Sequence, residues 1–357
     1  MKLHQYTNNH LLKAAQAGND TLMTALIQNG ADIEAKTDKN ATPLILAAAN
    51  GHPGCVVDLL NAGADIKART TNQFTALTLA ARNGHTICAI ALLYAGADIE
   101  AKTDRQATAL TIAAQNGHTA SVTALINLGS NIEARATYEY TALMSAAQNG
   151  HTACVKALLK AKADKDAKTD KKVTALMIAA ANGHAACVKA LLKAKADKEA
   201  KATHEYTALM VAAENGHIAC IVALLEAEAD VEAKDKNRYT ALIYAAQLGH
   251  IVCLQALLNA GADKEAKSDK QVTPLMLAAA NGHEPCVRAL IDRGADIEAK
   301  ADKQATALML AAQHGHPECV KALLNAGAEK NAKDNHHFTA LILAAQNGHA
   351  ASVVALL

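Results

Sequence analysis

Tryptophan is absent from this 357-residue chain, and all aromatic residues together make up only 3% of it. Large compact cores draw much of their buried area from aromatic rings. A core without them must be thin, built on Ala and Leu, with helices that approach closely. Apolar residues still make up 51% of the chain, which is ample for burial. No run of about 18 apolar residues occurs, so no membrane insertion is expected. The opening MKLHQYTNNH has no apolar segment of the kind a secretory leader carries, so no leader is expected. Charge of one sign is missing as well: the formal net charge of +1 gives no whole-molecule case for nucleic acid. Catalytic signatures are missing too, with no Gly-rich phosphate loop, no G-x-S-x-G and no H-E-x-x-H. Acids are numerous, but most recur in ADIEAK and TDK segments. That recurrence fits solvated or turn-forming residues better than a catalytic dyad. No catalytic activity and no cofactor are expected.

What is present is repetition. Threonine recurs at Thr42, Thr75, Thr108, Thr141, Thr174, Thr207, Thr240, Thr273, Thr306 and Thr339, always 33 apart. Gly-His follows in the same register, from Gly51-His52 to Gly348-His349, and no insertion breaks the period. Such a period signals an array rather than separate globular domains. We expect one array over residues 1–357: a divergent first repeat at 1–36, internal repeats at 37–335 and an incomplete last repeat at 336–357, eleven units in all.

One unit reads as two short helices and a turn. In TALMSAAQNG, Thr141 is an expected N-cap, its hydroxyl taking an orphan backbone N–H. Leu143, Met144, Ala146 and Ala147 follow, and Asn-Gly ends the helix. The second helix carries Cys154, Val155, Leu158 and Leu159 at helical spacing. It usually ends at Ala-Gly, where Gly can take the left-handed conformation. All five prolines fall in the predicted first turn of a helix, where no backbone donor is lost.

These features together resemble the ankyrin repeat: the 33-residue period, TPLILAAANGH at 42–52, TPLMLAAANGH at 273–283 and the recurring ALLxAGADIEAK. The resemblance covers essentially the whole chain. It implies an all-α solenoid of stacked helix-turn-helix units with β-hairpin-like fingers projecting to one side. It also implies a concave surface made by the fingers and first helices. A lone helix pair could not bury its apolar faces, so stacking is independently required. The chain departs from the family at the finger turn. The glycine two before the Thr is replaced by Asn40, Gln73, Gln106, Glu139, Lys172, Glu205, Arg238, Gln271, Gln304 and His337. The Gly that ends the second helix becomes Lys162, Lys195 and Glu228 in three consecutive units. A softer middle of the array is expected there.

The stretch NGHTAC at 149–154 places His and Cys three apart, on one helix face. A zinc site needs about four converging ligands. Each unit offers only two, and the next pair is displaced by a helix-packing distance of roughly 8–10 Å. All eight cysteines share this one position, and Ser121 and Ser352 fill it elsewhere. A small buried hydrophobe is the expected role for the thiol, and the resemblance gives the histidine a structural one, bonding loop backbone. Eight reduced thiols suggest a cytoplasmic, reducing compartment.

Specificity must sit where the units differ. The residue before each Thr alternates small with aromatic: Ala41, Phe74, Ala107, Tyr140, Val173, Tyr206, Tyr239, Val272, Ala305 and Phe338. With Tyr138, six of the nine aromatics lie in fingers. Aromatics are favoured interface anchors, although rings stacked between fingers would also explain them. By resemblance, Arg82, Gln115, Gln148, Glu214, Gln247 and Gln313 on the first helices add polar contacts. A ligand is expected to centre near Tyr140, Tyr206 and Tyr239. Residues 151–201 hold twelve lysines against five acids. Lys156, Lys160, Lys189 and Lys193 fall on second helices, and a solvated outer face is expected there, with a docking patch as the alternative.

The expected function is therefore a non-catalytic protein-protein interaction module offering a concave surface to a protein or peptide. The alternative is a scaffold or adaptor fragment of a larger protein, an effector or channel, whose activity lies outside this chain. The chain stops inside a second helix without a polar cap, which favours a fragment, and the array is expected to be monomeric unless that end associates.

Overall fold

Threonine starts each first helix for a local reason. In the computed structural model, which describes residues 2–357 with side chains from Tyr6 onward, all ten register threonines sit in extended backbone. Each accepts the N–H three residues on. That hydroxyl satisfies one of the donors a helix start leaves unpaired. The helices that follow are short, as in Ala142–Gln148, and most stop at Asn before a Gly such as Gly150, with φ 72°, Leu248 and His314 taking the Asn place in two units. A second helix such as Thr152–Lys160 then runs to a left-handed residue. Gly63 fills that place with φ 89°, whereas Lys162, Lys195 and Glu228 hold it at 65°, 61° and 58°. A side chain in that region costs about 1 kcal/mol. The five prolines each occupy the first or second position of a helix.

Among the described residues there are twenty-two α-helices, forming eleven pairs, two single 3-10 turns at Thr137–Glu139 and Thr203–Glu205, and no strand. The divergent first pair is longer, Lys2–Ala17 and Asp20–Gln28. The expectation for MKLHQYTNNH falls partly outside the described residues. The chain divides into two compact units, one up to Asp170 together with Lys193–Ala196, the other Lys171–Leu192 with Asp197–Leu357. Within each unit, first helices pack on first helices of adjacent repeats and second on second. Alanines such as Ala47 and Ala48 are fully buried between first helices, and Cys55, Val56 and Leu59 are fully buried on the second. A fully buried Leu contributes about 2–3 kcal/mol. This is the all-α stack of helix pairs that the resemblance implies.

The fingers are tight turns. Thr37 N–H donates to the Ala41 carbonyl at 3.0 Å, and Asn40 N–H donates to the Thr37 carbonyl at 2.8 Å. All ten residues that replace the finger glycine keep the left-handed conformation, with φ between 58° and 67°. Two fingers carry a second such residue, Tyr138 at φ 61° and His204 at φ 67°. In most fingers a side chain at the stem accepts the N–H four residues on, as Thr37 does for Ala41 and Asp235 for Tyr239. The two doubly strained fingers have Ala136 and Ala202 there. Other fingers join the preceding one through a single N–H, as Lys236 does to the His204 carbonyl at 3.1 Å, and in these two the same position adds a hydroxyl. Thr137 donates both N–H and Oγ1 to the Arg105 carbonyl at 3.0 and 2.7 Å, and Thr203 does the same to Lys171 at 3.0 and 2.9 Å.

Two ladders couple neighbouring repeats. Histidine Nε2 reaches a carbonyl in the preceding first helix, as His151 does to Gln115 at 3.1 Å and His217 to Ala181 at 3.1 Å. The ring covers the preceding loop closely. A Cβ on Gly51, already at φ 79°, would stand 2.4 Å from His85 Nδ1. On the other side, glutamate accepts the N–H of a residue 31 positions on, as in Glu34 to Asp65 at 2.7 Å and Glu232 to Asp263 at 2.7 Å. The aspartates make turns, as Asp230 Oδ1 accepts the Glu232 N–H at 2.9 Å.

Candidate functional site

The residues that vary at the ends of first helices are held by their backbones. The carbonyls of Arg82, Gln115, Glu214, Gln247 and Gln313 each accept a histidine Nε2 of the following repeat, at 2.9 to 3.1 Å. Scaffolding therefore uses the main chain, and the side chain is left to differ.

In the first unit these side chains line two neighbouring clefts. One, of about 330 Å³, is bounded by Phe74, Arg82, Arg105 and Gln115, with Asn72 and Asp104. The other, of about 620 Å³, is bounded by Arg105, Gln115, Tyr138, Tyr140, Ser145 and Gln148. Six expected site residues are thus brought together on one face of fingers and first helices. The Arg82 guanidinium carbon lies 5.5 Å from the centre of the Phe74 ring, a cation–π contact worth about 0.5–1 kcal/mol at an exposed site. Tyr138 is 72% exposed, held outward by its left-handed turn. Tyr140 is half-buried, and burial, with the charge of Asp170, raises its phenol above the usual value.

The second unit places Tyr206 and Tyr239 around a residue the sequence reading passed over, with the charge of Glu214 felt at Tyr206. Tyr244, from the helix Ala241–Gln247, is buried, with its ring centre 5.5 Å from that of Tyr206 and 5.4 Å from that of Tyr239. Its hydroxyl lies 2.6 Å from the Tyr206 hydroxyl and 2.7 Å from Asp235 Oδ2. A carboxylate only accepts, and Tyr244 has a single proton. That proton therefore goes to Asp235, and Tyr206 supplies the proton between the two hydroxyls. Asp235 is itself buried, and its Oδ1 accepts the N–H groups of Asn237 at 2.8 Å and Tyr239 at 2.7 Å. Burial first, then the hydrogen bond that Tyr244 donates to Asp235, push the Tyr244 phenol far above its usual range. Burial also raises Tyr206, Tyr239 and the Glu214 carboxyl.

The remaining expected residues stand apart. Gln247 is half-buried and Gln313 exposed. Phe338 lies against His336, with ring centres 6.1 Å apart. Lys156, Lys160, Lys189 and Lys193 are exposed. The cysteines are all buried free thiols. Burial, with Asp20 accepting from the thiol at 2.7 Å, pushes Cys55 up to about 12, and burial pushes Cys88 and Cys286 to about 11. Thiolate chemistry is suppressed in such surroundings. Cys154 Sγ lies 3.3 Å from Thr119 Oγ1 while His151 bonds the Gln115 carbonyl, so the two side chains of NGHTAC make unrelated contacts.

Sequence reading missed Tyr244, Asp235, Arg105 and Ser145. A signal was available for the first. The fourth residue after the register Thr is Leu, Ile, Val or Ser in the other units, and only here is it aromatic.

Comparison with known proteins agrees with this architecture. The family model for ankyrin repeats in three copies matches residues 11–103, 88–169, 162–235, 229–301 and 298–357. No curated protein matches the chain. Many solved structures do, 540 chains in all. One is the crystal structure of the human ASB11 ankyrin repeat domain, similar at 27% identity over 60% of this chain and 98% of that one, with a TM-score of 0.56.

Proposed function

Because the chain belongs to the ankyrin-repeat family, we propose that it is a non-catalytic binding module presenting a concave face of fingers and first helices to a protein or peptide partner. Ankyrin repeats are generally protein–protein interaction modules, and no described helix is long and apolar enough to cross a membrane. The observation that carries the proposal is the pair of clefts in the first unit. Their walls are the residues that differ between repeats: Phe74, Arg82, Gln115, Tyr138, Tyr140 and Gln148. Their backbones belong to a scaffold that repeats every 33 residues, so the variation falls on side chains that the fold does not require. Phe74, Tyr138 and Tyr140 act as anchors here, with Tyr206 and Tyr239 in the second unit. Large rings lose little rotamer freedom when a partner covers them.

The test is capture from native-host lysate followed by a binding isotherm for the captured partner. The triple substitution Phe74→Ala, Tyr138→Ala and Tyr140→Ala is expected to weaken binding by about tenfold or more, with helicity unchanged. Full affinity retained by the folded triple variant would overturn the assignment of this face.

A further inference from the structure

The second unit's tyrosine niche carries chemistry that the first unit's clefts lack. Its hydroxyl relay runs inward, from Tyr206 to Tyr244 to Asp235. With its proton turned inward, the half-buried Tyr206 hydroxyl presents lone pairs to the groove. Glu214, at the end of the helix Ala208–Glu214, adds a half-buried carboxylate whose charge is felt at Tyr206. Among the described residues neither Asp235 nor Glu214 makes an ion pair, and the finger's own cations Lys234, Lys236 and Arg238 pair with neither. The niche thus combines half-buried aromatic rings, the Glu214 carboxylate without an ion pair and the free lone pairs of the Tyr206 hydroxyl, over the buried charge of Asp235, whose oxygens are already satisfied.

We propose that this niche receives a basic side chain, lysine or arginine, of the peptide partner. Both groups are donors only, matching a site that offers acceptors, and both gain from the face of an aromatic ring. Burial of the Glu214 carboxylate without a cation disfavours its charged form, and an incoming ammonium or guanidinium reverses that penalty. A carboxylate or phosphate would meet two like charges, so acidic segments are excluded from this niche. The proposal rests on the interaction-module reading and names the partner's chemistry at one position of the same face.

A displayed library of random dodecapeptides, selected on the immobilised full chain, tests both. Wild type is expected to enrich a lysine or arginine. The best peptide is expected to lose about tenfold in affinity on Glu214→Gln. On Glu214→Lys the selected residue is expected to change from basic to acidic. That charge reversal acts at a half-exposed side chain, and far-UV circular dichroism reports whether the array stays folded. Binders with no basic preference, or with one indifferent to both Glu214 substitutions, overturn the niche proposal while leaving the module standing. A selection that yields no binder to the folded wild type overturns the module reading itself.

Discussion

Tyr140 and Tyr239 hold the same position in two repeats, 99 residues apart, yet one edges an open cleft and the other stands over a buried ring. The difference lies in the residues beneath. Three periods separate Ser145 from Tyr244 and Ala136 from Asp235. Where Ser and Ala stand, about 620 Å³ stays open and Tyr138 turns outward on a strained backbone. Where Tyr and Asp stand, a buried ring forms the floor, and its hydroxyl joins the finger to the helix. The lesson is that an aromatic anchor has no fixed meaning in a repeat. Its role is set by the floor it stands on.

Erasing the floor is the strongest way to break the contrast. Tyr244→Ser, which gives the second unit the residue at 145, removes a buried ring and leaves a buried carboxylate oxygen without its donor. A loss of about 3–5 kcal/mol is expected in urea unfolding. A loss under about 1 kcal/mol would show that the network adds little. Alkaline titration separates the regions more gently. A raised phenol pKa means that the folded state keeps its proton longer than the unfolded chain does. The stability so conferred is complete below the unfolded value near 10 and is lost as the pH climbs through the folded value. Tyr206, Tyr239 and Tyr244 are all raised, against Tyr140 alone in the first cleft. Above pH ~10 each such group removes up to about 1.4 kcal/mol per pH unit. Hydrogen exchange should therefore speed up around residues 206–247 before it does around 105–148. The smallest change acts on the outward finger. Tyr138→Gly relieves a left-handed side chain and is expected to raise stability by about 1 kcal/mol or less, read from the unfolding midpoint.

Much of the fold was legible in the sequence because it is written ten times over. The Thr cap, the Asn-Gly stop and the placing of Pro43, Pro53, Pro274, Pro285 and Pro317 are local rules, and each recurs in the structure as local rules should. The finger turn was less legible, since left-handed Gln, Lys and Arg break a propensity that neighbouring bonds override. The positions that vary between units could be picked out as a set, because variation against a constant register needs no coordinates. What they would meet could not. Phe74 and Arg82 come together across eight residues, and Tyr206 meets Tyr244 across a repeat boundary. Such pairings depend on how one unit's finger lies over the next unit's helix. Asp235 shows the same limit: its neighbours in sequence are Lys234 and Lys236, but its partner is a phenol nine residues on.

The two ladders have a mechanical consequence. Histidine braces most loops from the following repeat, and glutamate braces most stems from the preceding one, so within each unit the bracing runs both ways and peeling has no favoured direction. Weakness then falls where a rung is missing. In the first unit Glu34, Glu100 and Glu133 each hold the N–H of a residue 31 positions on, at 2.7 to 2.8 Å. Lys67 occupies the same position with no acceptor to offer, opposite the exposed Asp98. Under tension, the first unit should part first at that seam.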